Sequence, residues 1–140
     1  MNDRRFVDTN VLLYAHDRDA AEKHERAAAV VRGLWETETG VVSVQVLQEF
    51  YVNVTRKIPR PLPPAEARAV IRAYRAWRVE RPDADTVLHA SEIQERNRLS
   101  FWDAMIVATA VSSGAATLLS EDLQHGQLIE GVRVENPFLH

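Results

Sequence analysis

A chain of 140 residues, 46% hydrophobic and 26% charged, is long enough to bury one domain-sized core and needs no disulfide or structural metal to fold. It contains no cysteine, which excludes thiolate metal sites, disulfide scaffolds and cysteine nucleophiles. Its net charge of −3 argues against nucleic-acid binding through global positive charge; with no apolar signal core or membrane-spanning apolar run, the expectation is one soluble, cytoplasmic domain.

Phe6 and Val7 belong to a short apolar strand that ends in Asp8 and runs at once into a helix over residues 10–15. Asp8 fits either a helix cap or a site at the carboxyl end of a strand in a parallel α/β layer. A second helix is expected over residues 20–38, with Ala27, Val30, Val31 and Leu34 as its apolar stripe and Gly40 as its stop. Residues 41–43 form a β-branched strand candidate that leads into a helix over residues 44–56. There Val46, Leu47, Phe50 and Val54 share an apolar arc, and Glu49 projects at its edge beside Val46 and Asn53. Glu49 is therefore either a boundary residue paired with a base or a half-buried functional acid.

Residues 58–64 hold four prolines and must be an extended loop. The following helix, residues 65–77, is apolar through Ala67, Val70, Ile71, Tyr74 and Trp77, and Arg68, Arg72 and Arg75 share a different face. Between Thr55 and Arg81 eight basic side chains stand against only Glu66 and Glu80, so one region is basic while acids dominate elsewhere. The arginine stripe suits either solvent or phosphates. A weak strand over residues 77–80 precedes a helix over residues 84–98, capped by Asp83 or Asp85, with Val87, Leu88, Ala90 and Ile93 turned inward.

Residues 100–111 are apolar on nearly every side, which requires a central helix. Ser100 and Asp103 have the spacing of a capping box, and an acid in the first turn is favoured by the helix dipole while still offering an oxygen to a metal. Gly114 stops that helix. The strand over residues 115–120 then ends in Glu121 and Asp122, repeating the arrangement at Asp8. Gly126 and Gly131 frame a turn before a last, edge strand at residues 132–134. Alternating strands and helices imply a central parallel β-sheet flanked by helices in a single α/β domain.

Two acids at strand ends, one on a helix edge and one at the start of a buried helix would face one end of such a sheet. Four carboxylates packed together repel one another and require a cation or a proton. The histidines His16, His24, His89, His125 and His140 are scattered, with no pair at ligand spacing, so the donors are hard oxygens that suit Mg2+ or Mn2+. Magnesium held by a few carboxylates completes its shell with water and phosphate, which points to phosphodiester chemistry.

The runs from Phe6 to Ala15, Ser43 followed by Glu49, Asp103 to Ala110, Leu118 to Gly126, and the ending Asn136-Pro137-Phe138 together resemble PIN-domain nucleases, most closely the VapC-type toxins of bacterial toxin–antitoxin pairs. The resemblance implies an α/β/α sandwich in which Asp8, Glu49, Asp103 and Asp122 form the metal-binding catalytic site. Thr9, Asn10, Ser43 and Ser120 would be supporting hydrogen-bonding residues, and Glu121 could substitute for or assist Asp122. It further implies an Mg2+- or Mn2+-dependent endoribonuclease that leaves a 5′-phosphate and a 3′-hydroxyl, a cognate antitoxin that covers the acids, and a homodimer. Arg56, Lys57, Arg68, Arg72 and Arg75 are the candidates for contacting RNA phosphates. The competing readings are a metal-dependent DNA nuclease, a non-enzymatic interaction module whose acids are caps, and a phosphoacceptor domain. The last would want a lysine late in the chain, where the final one is Lys57.

Overall fold

The computed structural model describes residues 2–139. Strand β1 (Arg5–Val7) feeds helix α1 (Thr9–His16), and a 3-10 turn at Arg18–Ala20 leads to α2 (Glu22–Thr37). Strand β2 (Gly40–Ser43) runs directly into α3 (Val44–Arg56), and the proline-rich loop delivers α4 (Pro64–Tyr74) and β3 (Arg78–Glu80). Helices α5 (Ala84–Asn97) and α6 (Phe101–Ser112) precede β4 (Thr117–Leu119), β5 (Leu128–Ile129) and β6 (Val132–Glu135).

The six strands form one sheet in the order β3-β2-β1-β4-β6-β5. All neighbours are parallel except β5 and β6. Successive strands move outward from β1 through β2 to β3, and the α5–α6 crossover then returns the chain to β4 on the other side of β1. The direction of winding therefore reverses between β1 and β4, which is where a doubly wound sheet opens a crevice at its carboxyl edge. Phe6, Val7, Val41, Val42, Leu118 and Leu119 supply the buried sheet, and α6 is buried from Ala104 to Ala110, as its lack of a polar face requires. No helix among the described residues is long and apolar enough to cross a membrane.

Four local expectations need correction. Helix α2 ends at Thr37, where Glu38 adopts the left-handed conformation (φ 58°) and its N–H bonds the Leu34 carbonyl. Gly40 is not that helix's stop: it lies in β2, where a Cβ would fall 2.6 Å from the Trp77 ring. Helix α4 ends at Tyr74, three residues early, because Trp77 leaves the helix to pack edge-on against Tyr74 (4.9 Å between centroids) and Trp35 (5.4 Å) over that glycine. On α5 only Ala90 and Ile93 are buried; Val87 and Leu88, 45% and 65% exposed, are turned to solvent rather than inward. Strand β6 is interior, since the two-residue β5 returns to it through Glu130 and Gly131, both at positive φ. A strand that short carries no periodic signal.

Gly40→Ala should therefore destabilise the fold by about 1–3 kcal/mol through overpacking against the Trp77 ring, read as a lowered urea midpoint with unchanged slope. An unchanged midpoint would mean that the ring is free to move.

Candidate functional site

Each of the four sequence-predicted acids reaches the carboxyl edge of the sheet by a different route. Asp8 follows β1 directly, and its N–H pairs with the Leu119 carbonyl at the end of β4 (3.0 Å). Asp122 follows β4 by three residues. Glu49 lies on α3, which starts at the end of β2. Asp103 stands in the first turn of α6. All four line one cleft of about 410 Å³, together with Thr9, Asn10, Gln45, Gln48, Val52, Asn53, Lys57, Trp102 and Ile106.

Asp8 is the buried member, 5% exposed, and both of its oxygens are held. The Thr9 N–H donates to Oδ1 (2.7 Å), making Asp8 the cap of α1, and the Ser120 hydroxyl donates to Oδ2 (2.8 Å). Cap and site acid are thus one residue. Burial pushes its carboxyl up to about 7; Asp122 and Asp103 add to the rise, and the bonds from Ser120 and Thr9 oppose it. Asp122 is also raised, by partial burial first and then by Asp103, Glu121 and Glu49, against a bond from Asn10.

Thr9 and Asn10, next to Asp8, orient two of the other acids. The Thr9 hydroxyl donates to Glu49 Oε1 (2.6 Å), and Asn10 Nδ2 donates to Asp122 Oδ2 (3.3 Å). The Ser120 hydroxyl that donates to Asp8 accepts from the Asp122 N–H (3.1 Å), so one side chain fixes the spacing of both strand-end acids. Ser43 acts at one remove. Fully buried, it accepts the Val46 N–H (3.2 Å) and caps α3, setting the helix that carries Glu49. Ser100 likewise accepts the Asp103 N–H (3.1 Å) at the start of α6.

Glu121 points elsewhere. It pairs with Lys23 of α2 at 2.7 Å and does not line the cleft, so of the two consecutive acids only Asp122 does. Of the basic candidates only Lys57 lines the cleft, whereas Arg56, Arg68, Arg72 and Arg75 are exposed outside its walls. None of the described histidines lines it: His16 bonds Tyr74, His24 the Tyr14 carbonyl, His89 pairs with Glu130, and His125 accepts from the Asn136 N–H. His140 is outside the described residues.

The donor set facing the cleft is hard oxygen with a single cation, Lys57, among its lining residues. Among the described residues no three acids converge closely enough to enclose an ion on protein ligands alone. That arrangement fits a hydrated hard cation held by one or two carboxylates and completed by water and phosphate. Sequence reasoning passed over Gln45, Gln48 and Trp102. The first two were signalled by the stripe of residues 45, 48, 49, 52 and 53, which share one face of a helix, and Trp102 by its place beside Asp103.

The PIN domain family model matches residues 5–128. A search of curated protein sequences gives no significant match. Among solved structures the chain is similar to Mycobacterium tuberculosis VapC20, described as a sarcin-ricin loop cleaving toxin, at 26% identity and a TM-score of 0.65 over 84% of this chain and 91% of that one. It is also similar in fold to a toxin–antitoxin complex from Klebsiella pneumoniae, at 17% identity and a TM-score of 0.70 over 96% and 98% of the two chains. The DNA-bound VapBC of Salmonella typhimurium gives 20% and 0.67 over 96% and 98%. With its topology, its crevice at the β1–β4 junction and a family match over nearly the whole chain, this protein belongs to the PIN-domain family.

Proposed function

We propose that this chain is a divalent-metal-dependent endoribonuclease acting as the toxin of a toxin–antitoxin pair. The observation that carries the proposal is the gathering of Asp8, Glu49, Asp103 and Asp122 around one open cleft where the winding of the sheet reverses. The likeness to a sarcin-ricin loop cleaving toxin supports RNA as the substrate, and the likeness to toxin–antitoxin complexes supports a protein partner that restrains activity. A homodimer is part of the same reading, and the exposed pair Val87 and Leu88 on α5 offers an apolar face for it.

When bound, Mg2+ or Mn2+ supplies an acidified water nucleophile and neutralises charge on the reacting phosphate and leaving oxygen. The chain's own residues prepare that site. Asp8, held from behind by Thr9 and Ser120, presents a fixed carboxylate whose charge is costly until a cation arrives. Asp122 and Glu49 are oriented by Asn10 and Thr9, and Asp103 closes the cleft from α6. Lys57 is placed to attract the phosphate backbone. The exposed Arg56, Arg68, Arg72 and Arg75 extend that attraction along α3 and α4.

Mapping the fragment ends tests the chemistry. Hydrolysis by an activated water leaves a 5′-phosphate and a 3′-hydroxyl on RNA cut with Mg2+ or Mn2+. Fragments ending in 2′,3′-cyclic phosphate would mean attack by the neighbouring 2′-hydroxyl and would rule this mechanism out. Equal cutting of a DNA strand of the same sequence would move the substrate to nucleic acid in general.

A further inference from the structure

Of the three tryptophans Trp102 is the most exposed: Trp77 is buried, and Trp35, though 38% exposed, is packed among other aromatic rings. Trp35 and Trp77 interlock with Tyr74 in an aromatic cluster. Trp102 is 64% exposed, at the mouth of the acidic cleft and on the first turn of a helix that is otherwise almost wholly buried. An exposed aromatic ring is unremarkable alone. Here, however, it adjoins Asp103 at the cleft, and its backbone is anchored. Phe101 packs edge-on against it (5.4 Å between centroids, 77°), and Gln45 Nε2 donates to its carbonyl (3.3 Å), tying α6 to α3.

Helix α3 and its end bring complementary chemistry to the same cleft. Gln48 and Asn53 bring side-chain amides, each able to donate and accept on a base edge, and Lys57 brings a cation for phosphate. A flat apolar ring, amides and one cation beside a row of acids match the parts of a nucleotide: a π face, a polar edge and a charged backbone. A duplex hides its base faces, so only an unpaired base can use such a platform.

We propose that Trp102 is a substrate-positioning residue on which an unpaired nucleobase next to the scissile phosphate stacks, with Gln48 and Asn53 facing the edge of that base. The inference rests on the ribonuclease reading above and deepens it.

The test compares the unaltered protein, W102F and W102A, each verified as folded by its melting temperature, on a short single-stranded RNA that the unaltered protein cuts with Mg2+. Loss of one stacking partner raises KM roughly ten- to hundredfold in W102A, while W102F restores most of the affinity because it keeps a ring. In chelator, where no cutting occurs, the same RNA quenches the tryptophan fluorescence of the unaltered protein. That quenching is absent in W102F even though labelled RNA still binds it. The same sequence annealed into a duplex quenches little. Metal-dependent cleavage with KM unchanged in W102A, or quenching that persists in W102F, would overturn the stacking inference alone and leave the exposed indole to a protein partner. Failure of the unaltered protein to bind or cut any RNA would remove the ribonuclease reading and this inference with it.

Discussion

Metal-free Asp8→Asn protein should melt about 5–10 °C above the unaltered chain near pH 8, and the gap should close only as pH falls to about 4. The reason is the buried carboxylate at the end of β1. Its pKa of about 7 in the folded protein lies far above the ordinary 3.8, so the folded state holds the proton more tightly than the unfolded chain does. Stability tied to this group is complete below about pH 4, declines as pH rises, and is lost once pH passes about 7, a total of roughly 4 kcal/mol. Asparagine removes the charge and can still accept from Thr9 or Ser120 through its one carbonyl oxygen, so it relieves most but not all of the cost. Added Mg2+ should narrow the gap by stabilising only the unaltered protein, because binding to the folded state raises its stability by mass action. Melting curves across the pH range check this. An Asp8→Asn variant that melts at or below the unaltered chain near pH 8 would mean that burial of Asp8 is already compensated within the fold.

The second large effect is on turnover. Glu49→Gln and Asp103→Asn should each lower metal-activated kcat/KM by about a hundredfold or more while leaving the fold intact, because neither side chain is buried in the core. Thr9→Val separates orientation from charge. It deletes the 2.6 Å hydroxyl bond to Glu49 but keeps the backbone N–H that caps α1 through Asp8. It should raise the metal concentration needed for half activity by about 10–100-fold, the size of effect seen when an outer-shell partner of a metal ligand is removed. The measurement is initial rate against Mg2+ or Mn2+ concentration. Glu49→Gln with full activity would take α3 out of the site and reduce the acids that matter to those from β1, β4 and α6.

The sequence was most informative where one constraint acted alone. Strand β2 running into α3, the all-round apolar α6 and the acids at the ends of β1 and β4 were legible because periodicity and strand-end position determine them. What escaped was set by tertiary contact. Trp77 left α4 for a ring cluster over Gly40, and Val87 and Leu88 faced outward because α5 offers only the Ala90–Ile93 side to the core. At the site, the acids could be picked out by residue type, but their couplings could not. That Ser120 donates to Asp8 while accepting from Asp122, or that Glu121 turns to Lys23, depends on the register of β1 against β4 and on the distant packing of α2.

The most direct test of the four-acid site is cleavage of total tRNA and ribosomal RNA by the purified, partner-free protein and by Asp8→Asn, each with Mg2+ or Mn2+ and with chelator. Discrete fragments from the unaltered protein with metal, and none from the variant or in chelator, are the expected result. Fragments that appear equally with Asp8→Asn, or that persist in chelator, would contradict a carboxylate-held metal as the source of the activity.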